Sequence, residues 1–127
     1  TLVTNDGADP MFRGHAIAGM ATFYLAGTDP KHKYASPLYA DLSGLPPLLI
    51  QAGSTEVLLD DARRIEHKAK AAGVDVDFGV WKNMPHVWQL FAPFVPEAGR
   101  ALDHAAAFAR AHARAGRLHA SGESSMA

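Results

Sequence analysis

The stretch from Leu45 to His86 constrains this chain more than any other. It opens with Leu45-Pro46-Pro47-Leu48-Leu49-Ile50-Gln51-Ala52-Gly53, a short apolar run held between prolines and a glycine. Such a run reads as a strand buried on both faces, as in a parallel sheet. A polar turn, Gly53-Ser54-Thr55-Glu56, follows. A helical pattern then runs from about Val57 to Ala72, with Gly73 as its C-terminal stop. Val74, Val76, Phe78 and Val80 next alternate with Asp75, Asp77 and Gly79 in a second strand that ends near Trp81. Met84-Pro85-His86 closes the series. The order is strand, acidic turn, helix, strand, histidine loop. Glu56 thus follows one strand and His86 the next, and in open parallel α/β sheets the chemistry gathers at those strand ends.

The flanks read less sharply. Residues 1–10 are polar and end in Asp9-Pro10, a turn or helix-start signal. Met11 to Ala26 reads as a helix with an irregular apolar face, closed by Gly27. Thr28 to Gly44, with Pro30 and Pro37, reads as an ordered loop. After His86 comes the aromatic run Val87-Trp88-Gln89-Leu90-Phe91, broken by Pro93 and Pro96. Pro96 suits the first turn of an alanine-rich helix over 97–115, which Gly116 ends. These readings predict a segment 1–35, an α/β part 36–116 and a disordered tail 117–127. Two strands do not make a stable parallel sheet, which needs more strands and helices on both faces. The expectation is therefore the C-terminal part of a larger α/β protein.

Composition excludes several function classes. A formal net charge of −1 gives no basic footprint for nucleic acid. The absence of cysteine removes disulfides and thiolate metal sites. No apolar run approaches the roughly 18 residues of a membrane span. No basic segment followed by an apolar core marks a signal peptide, so a cytoplasmic protein is the default expectation. A metal site built from Glu56, Asp60 and His67 lacks tight ligand spacing, and no metal or other cofactor is expected.

Four segments carry a family likeness: Ser36-Pro37-Leu38-Tyr39-Ala40-Asp41-Leu42, Leu45-Pro46-Pro47-Leu48-Leu49-Ile50, Glu56-Val57-Leu58-Leu59-Asp60-Asp61, and Met84-Pro85-His86-Val87-Trp88-Gln89-Leu90-Phe91. In this order, with about thirty residues from acid to histidine, they resemble the C-terminal half of the hormone-sensitive-lipase-like family of bacterial α/β-hydrolase esterases. The resemblance spans Asp9 to Ala113. It implies a carboxylic ester hydrolase for short to medium acyl esters, with a triad in the chain order serine, acid, histidine.

On that resemblance His86 is the catalytic base. Glu56, four residues before Asp60, is the acid that orients it; Asp60 and Asp61 are the rival carboxylates. Acids in a first helical turn also have a plain structural role at the helix dipole. The other histidines, including His67, His104 and His112, read as surface residues. No Gly-x-Ser-x-Gly elbow and no glycine-rich oxyanion motif occurs, and Ser54 reads as a turn residue. The nucleophile is therefore expected in an N-terminal half of the same hydrolase, leaving this chain inactive alone. The resemblance further implies that residues 11–34 help form a cap over the acyl pocket, with Met11, Phe12, Met20, Phe23 and Tyr24 as candidate lining or plain core. Trp88 and Phe91 either pack helix against sheet, the first reading, or touch substrate. The family also implies a homodimer through the edge strand 74–81 and the last helix. A non-catalytic α/β-hydrolase remnant serving as an interaction module is the alternative function.

Overall fold

The computed structural model describes residues 1–123, with side chains through residue 113. The chain divides into two compact units, one of residues 1–88 and one beginning at Gln89.

In the first unit, β1 (Leu48–Gly53) and β2 (Val76–Trp81) form a two-stranded parallel sheet, in register from Leu48 opposite Val76 to Gly53 opposite Trp81. The helix α2 (Leu59–Ala71) connects them. Its apolar positions Leu59, Ala62, Ile65 and Ala69 recur at the helical period, and Leu59 and Ala69 are buried. Asp60 and Asp61 occupy its first turn and Lys68 and Lys70 its last, so both ends complement the helix dipole. Lys68 Nζ donates to the carbonyls of Leu38 (2.9 Å) and Ala40, which ties the loop at 38–40 to the helix.

The end of α2 explains why β2 begins at Val76 rather than at Val74. Gly73, at φ +80°, turns the chain, and its N–H donates to the Lys70 carbonyl (3.0 Å) while the Val74 N–H donates to Ala69 (3.0 Å). This pair of bonds is a Schellman cap. It uses the N–H of Val74, whose side chain joins Ala69, Leu42 and Val76 in the core cluster. The sheet regains its pattern when the Leu48 N–H bonds the Asp75 carbonyl (2.9 Å).

The helix α1 (Gly14–Leu25) ends through Ala26 at φ +45° and Gly27 at φ +87°, and none of its residues is buried. A short 3-10 turn at Pro37–Tyr39 interrupts the loop that follows. Leu48 to Gln51 are half-buried, and only Ala52 and Gly53 of β1 are buried. The expectation of burial on both faces is thus unmet among the described residues, where α2 packs against β1 and a sheet face is buried only where another element covers it.

The second unit is dominated by α3 (Pro96–Glu123), which starts at the expected proline. Its backbone stays helical past Gly116, where the sequence reading ended it. A single glycine costs a helix only about 1 kcal/mol relative to alanine, and its neighbours Ala113, Arg114, Ala115, Arg117 and Leu118 are good helix formers. Part of the expected tail 117–127 therefore continues the helix, and its last four residues lie outside the described ones. Among the described residues no helix is long and apolar enough to cross a membrane.

Candidate active site

The C-terminal ends of β1 and β2 open into two loops that are stitched together. The Ser54 N–H donates to the Trp81 carbonyl (2.8 Å), extending the ladder one step past the sheet. Thr55 then meets the Met84 carbonyl twice, through its N–H (3.2 Å) and its Oγ1 (2.8 Å). The Asn83 N–H donates to Ser54 Oγ (2.8 Å), with Asn83 itself at φ +59°. Gly53 permits the approach: a Cβ at that position would stand 2.0 Å from the Met84 oxygen.

This seam brings Glu56 and His86 together from positions thirty residues apart. Glu56 Oε2 lies 3.5 Å from His86 Nδ1. That is slightly longer than the roughly 2.6–3.2 Å of a closed catalytic hydrogen bond. Glu56 is 6% exposed, and its Oε2 also accepts from the Gly53 N–H at 3.2 Å. Burial pushes the Glu56 carboxyl above the usual carboxylate range; the Gly53 N–H and the facing imidazole pull it down, and Asp9 nearby pushes it up. His86 Nδ1 is itself buried and has no formed hydrogen bond, whereas the side chain keeps 26% of its exposure through its other atoms. Nδ1 therefore faces the carboxylate, which leaves Nε2 as the nitrogen free for proton transfer.

The residues around the pair hold it in place. The ring of Phe12 meets the His86 ring edge-on, with centroids 4.9 Å apart. Val87, directly after the histidine, sits at φ +51°. A β-branched residue there is strained by about 1–3 kcal/mol, a cost that surrounding packing must impose. Trp88 is 1% exposed and stacks at a tilt on Trp81, 5.8 Å between centroids. It buttresses the histidine loop from inside and offers this chain no open face.

The other candidates fall elsewhere. Asp60 and Asp61 are exposed on α2 and pair with Arg63 (3.3 Å) and Arg64 (3.0 Å). Ser54 Oγ is engaged as the acceptor for Asn83, and Ser43 Oγ donates to Asp41 (2.8 Å) in a local turn. Met20 and Phe23 on α1 are 45% and 90% exposed. His67 is exposed, whereas His104 and His112, expected at the surface, are half-buried, with His112 tilted on Phe108 at 4.3 Å.

Sequence reasoning missed the contribution of the first residues. Asn5 Nδ2 donates to the carbonyls of Ser54 (3.2 Å) and Glu56 (2.8 Å), and Thr1 Oγ1 donates to the Val57 carbonyl (2.9 Å). Asp9 is 1% exposed, and its carboxylate accepts from the Val57 N–H (3.2 Å) and the Met11 N–H (2.9 Å). The Asp9-Pro10 pair was the only local trace of this, and it signals a turn without revealing what the turn touches.

Known proteins resemble this chain closely. A family model described as the alpha/beta hydrolase fold matches residues 2–90. An acetyl-hydrolase of Streptomyces hygroscopicus is 57% identical over 91 residues, covering 72% of this chain and 30% of the relative. An esterase of Acinetobacter venetianus is 42% identical over 92 residues, with the same two coverages. The crystal structure of an esterase from the bacterial hormone-sensitive lipase family superposes with a TM-score of 0.85 at 50% identity, over 87% of this chain and 37% of that one. A crystal of the esterase EstE5 soaked with p-nitrophenyl butyrate gives 0.82 at 47% identity, over 87% and 37%. The chain thus spans about a third of the length of the proteins it matches.

Proposed function

This chain belongs to the bacterial hormone-sensitive-lipase-like esterases of the α/β-hydrolase fold, and we propose on that premise that its full-length protein hydrolyses carboxylic esters. The observation that carries the proposal is the buried Glu56 carboxylate facing His86 Nδ1 where two neighbouring parallel strands end. In this reading His86 Nε2 takes the proton of a serine hydroxyl as its oxygen attacks the ester carbonyl. Glu56 holds the imidazole by Nδ1 and stabilises the imidazolium, which then protonates the departing alcohol. Water cleaves the acyl-enzyme by the same proton route in reverse.

The serine and the oxyanion donors lie outside these 127 residues, which contain no Gly-x-Ser-x-Gly sequence. The substrates are short to medium acyl esters. Met20 and Phe23, exposed on α1, contribute to the acyl pocket, and Trp88 serves by packing rather than by contact. β2 pairs with β1 alone among the described residues, and its other edge is the surface through which two copies of the protein associate.

The test is hydrolysis of p-nitrophenyl esters from acetate to octanoate by the full-length protein and its His86→Ala variant. Turnover that depends on His86 and is abolished by a serine-directed sulfonyl fluoride supports the proposal. Undiminished turnover by His86→Ala rejects it, and turnover by the 127-residue chain alone would move the nucleophile inside it.

A further inference from the structure

The mechanism above uses Glu56 and His86, yet the most deeply buried acid among the described residues is Asp9, at 1% exposure. A buried carboxylate that touches no cation is costly unless it accepts hydrogen bonds. Asp9 accepts hydrogen bonds from backbone on both sides of the site. Oδ2 accepts from the N–H of Val57, the residue after Glu56. Oδ1 accepts from the N–H of Met11, the residue before Phe12, whose ring stands edge-on to His86. One carboxylate therefore touches the peptide unit that carries the acid and the turn that sets an aromatic ring against the base.

We propose that Asp9 is a positioning residue for the Glu56–His86 pair: it clamps the acid turn to the N-terminal segment and, through Met11, fixes Phe12 against the histidine ring. The inference rests on the ester-hydrolase reading. The clamp is reinforced next door, where Asn5 Nδ2 binds the carbonyls of Ser54 and Glu56. Both polar faces of the acid turn are then gripped by the first nine residues, its carbonyls by an amide and its N–H by a carboxylate. The choice of a carboxylate has a chemical reason. Two N–H donors converge on one side chain, and Asp alone among small residues offers two acceptor oxygens and no donor. Its negative charge also pushes the Glu56 pKa up, alongside burial, which is the largest influence there.

The alternative role for Asp9 is purely structural, holding the N-terminal segment without bearing on catalysis. The experiment separates the two in the full-length protein with p-nitrophenyl butyrate. Asp9→Asn keeps the shape and one acceptor; Asp9→Ala keeps neither acceptor. The expected order of kcat is wild type, Asn, Ala, with a loss of about ten- to a hundredfold for Ala and KM changed less than threefold, since sub-ångström misplacement acts on the reacting groups more than on binding. Phe12→Leu completes a double-mutant cycle, in which Asp9→Asn and Phe12→Leu lose less together than the product of their separate losses. Unchanged kcat in Asp9→Asn with a lowered melting temperature overturns the proposal, as does strict multiplicativity in the cycle. If Asp9→Ala does not fold, Asp9→Asn and the cycle still decide. His86→Ala runs alongside: if it retains turnover, the ester-hydrolase reading fails first, whereas a dead His86→Ala with a fully active Asp9→Asn rejects the role of Asp9 alone.

Discussion

The Cα of Gly53 faces the carbonyl of Met84 so closely that a methyl group on it would lie 2.0 Å from the oxygen and 2.6 Å from the carbon. Met84 is held there by Thr55, whose N–H and hydroxyl both donate to the same carbonyl, so the acid turn and the histidine loop cannot separate cheaply. Gly53→Ala is therefore expected to cost about 1–3 kcal/mol of stability, the usual range for overpacking against backbone. It should also lower kcat, since relief of the clash moves Glu56 away from His86. Denaturant unfolding together with p-nitrophenyl butyrate kinetics checks both; a fully active Gly53→Ala would show that the seam does not set the geometry.

His86→Ala should reduce kcat by roughly 10³-fold or more, and Glu56→Gln by about 10²–10⁴-fold, because the second change leaves the base present but wrongly oriented. The rival carboxylate gives the contrast. Asp61 is exposed and paired with Arg64 on α2, so Asp61→Asn should keep turnover within about twofold of wild type, as expected for an exposed ion pair. Equal losses in Glu56→Gln and Asp61→Asn would refute the assignment of the acid.

The pH dependence of stability carries a definite sign. Burial raises the Glu56 pKa above its ordinary value, so between those two values the native state binds more protons than the unfolded chain. The contribution of Glu56 to stability is best at low pH and declines as pH rises from about 4.5 through the raised pKa. Glu56→Gln removes that decline. At pH 7 the variant should unfold at the same or higher denaturant concentration than wild type while having lost its turnover, the trade expected at an active site. The measurement is urea unfolding from pH 4.5 to 7.5; a variant much less stable than wild type at pH 7 would contradict it.

Lys68 is expected to matter for folding and not for chemistry. Its Nζ donates to the carbonyls of Leu38 and Ala40, and hydrogen bonds from a charged donor contribute about 1.5–3 kcal/mol each when partly buried. Lys68→Met keeps the alkyl stem and deletes the donor. Denaturant unfolding should show a loss of at least about 1.5 kcal/mol of stability, with KM and kcat of the folded enzyme near wild type.

What the amino-acid order determined by itself was everything governed by neighbours in sequence. The period of two in Val76–Val80, the helical recurrence of Leu59, Ala62, Ile65 and Ala69, and the stop at Gly73 are local, and each stands close to where it was read. The parallel pairing followed, since a helix of that length between two strands leaves few other connections. Placing Glu56 and His86 at adjacent strand ends was legible for the same reason. The tertiary structure alone decided what holds that pair. Asp9 reaches Val57 across 48 positions and Asn5 reaches Glu56 across 51, and Phe12 lands on His86. No periodicity encodes such contacts, because they depend on how the N-terminal segment folds back over the sheet end. The strain at Val87 was hidden likewise: a β-branched residue takes φ +51° only when surrounding packing outweighs its own backbone preference, and that packing is assembled from residues distant in sequence.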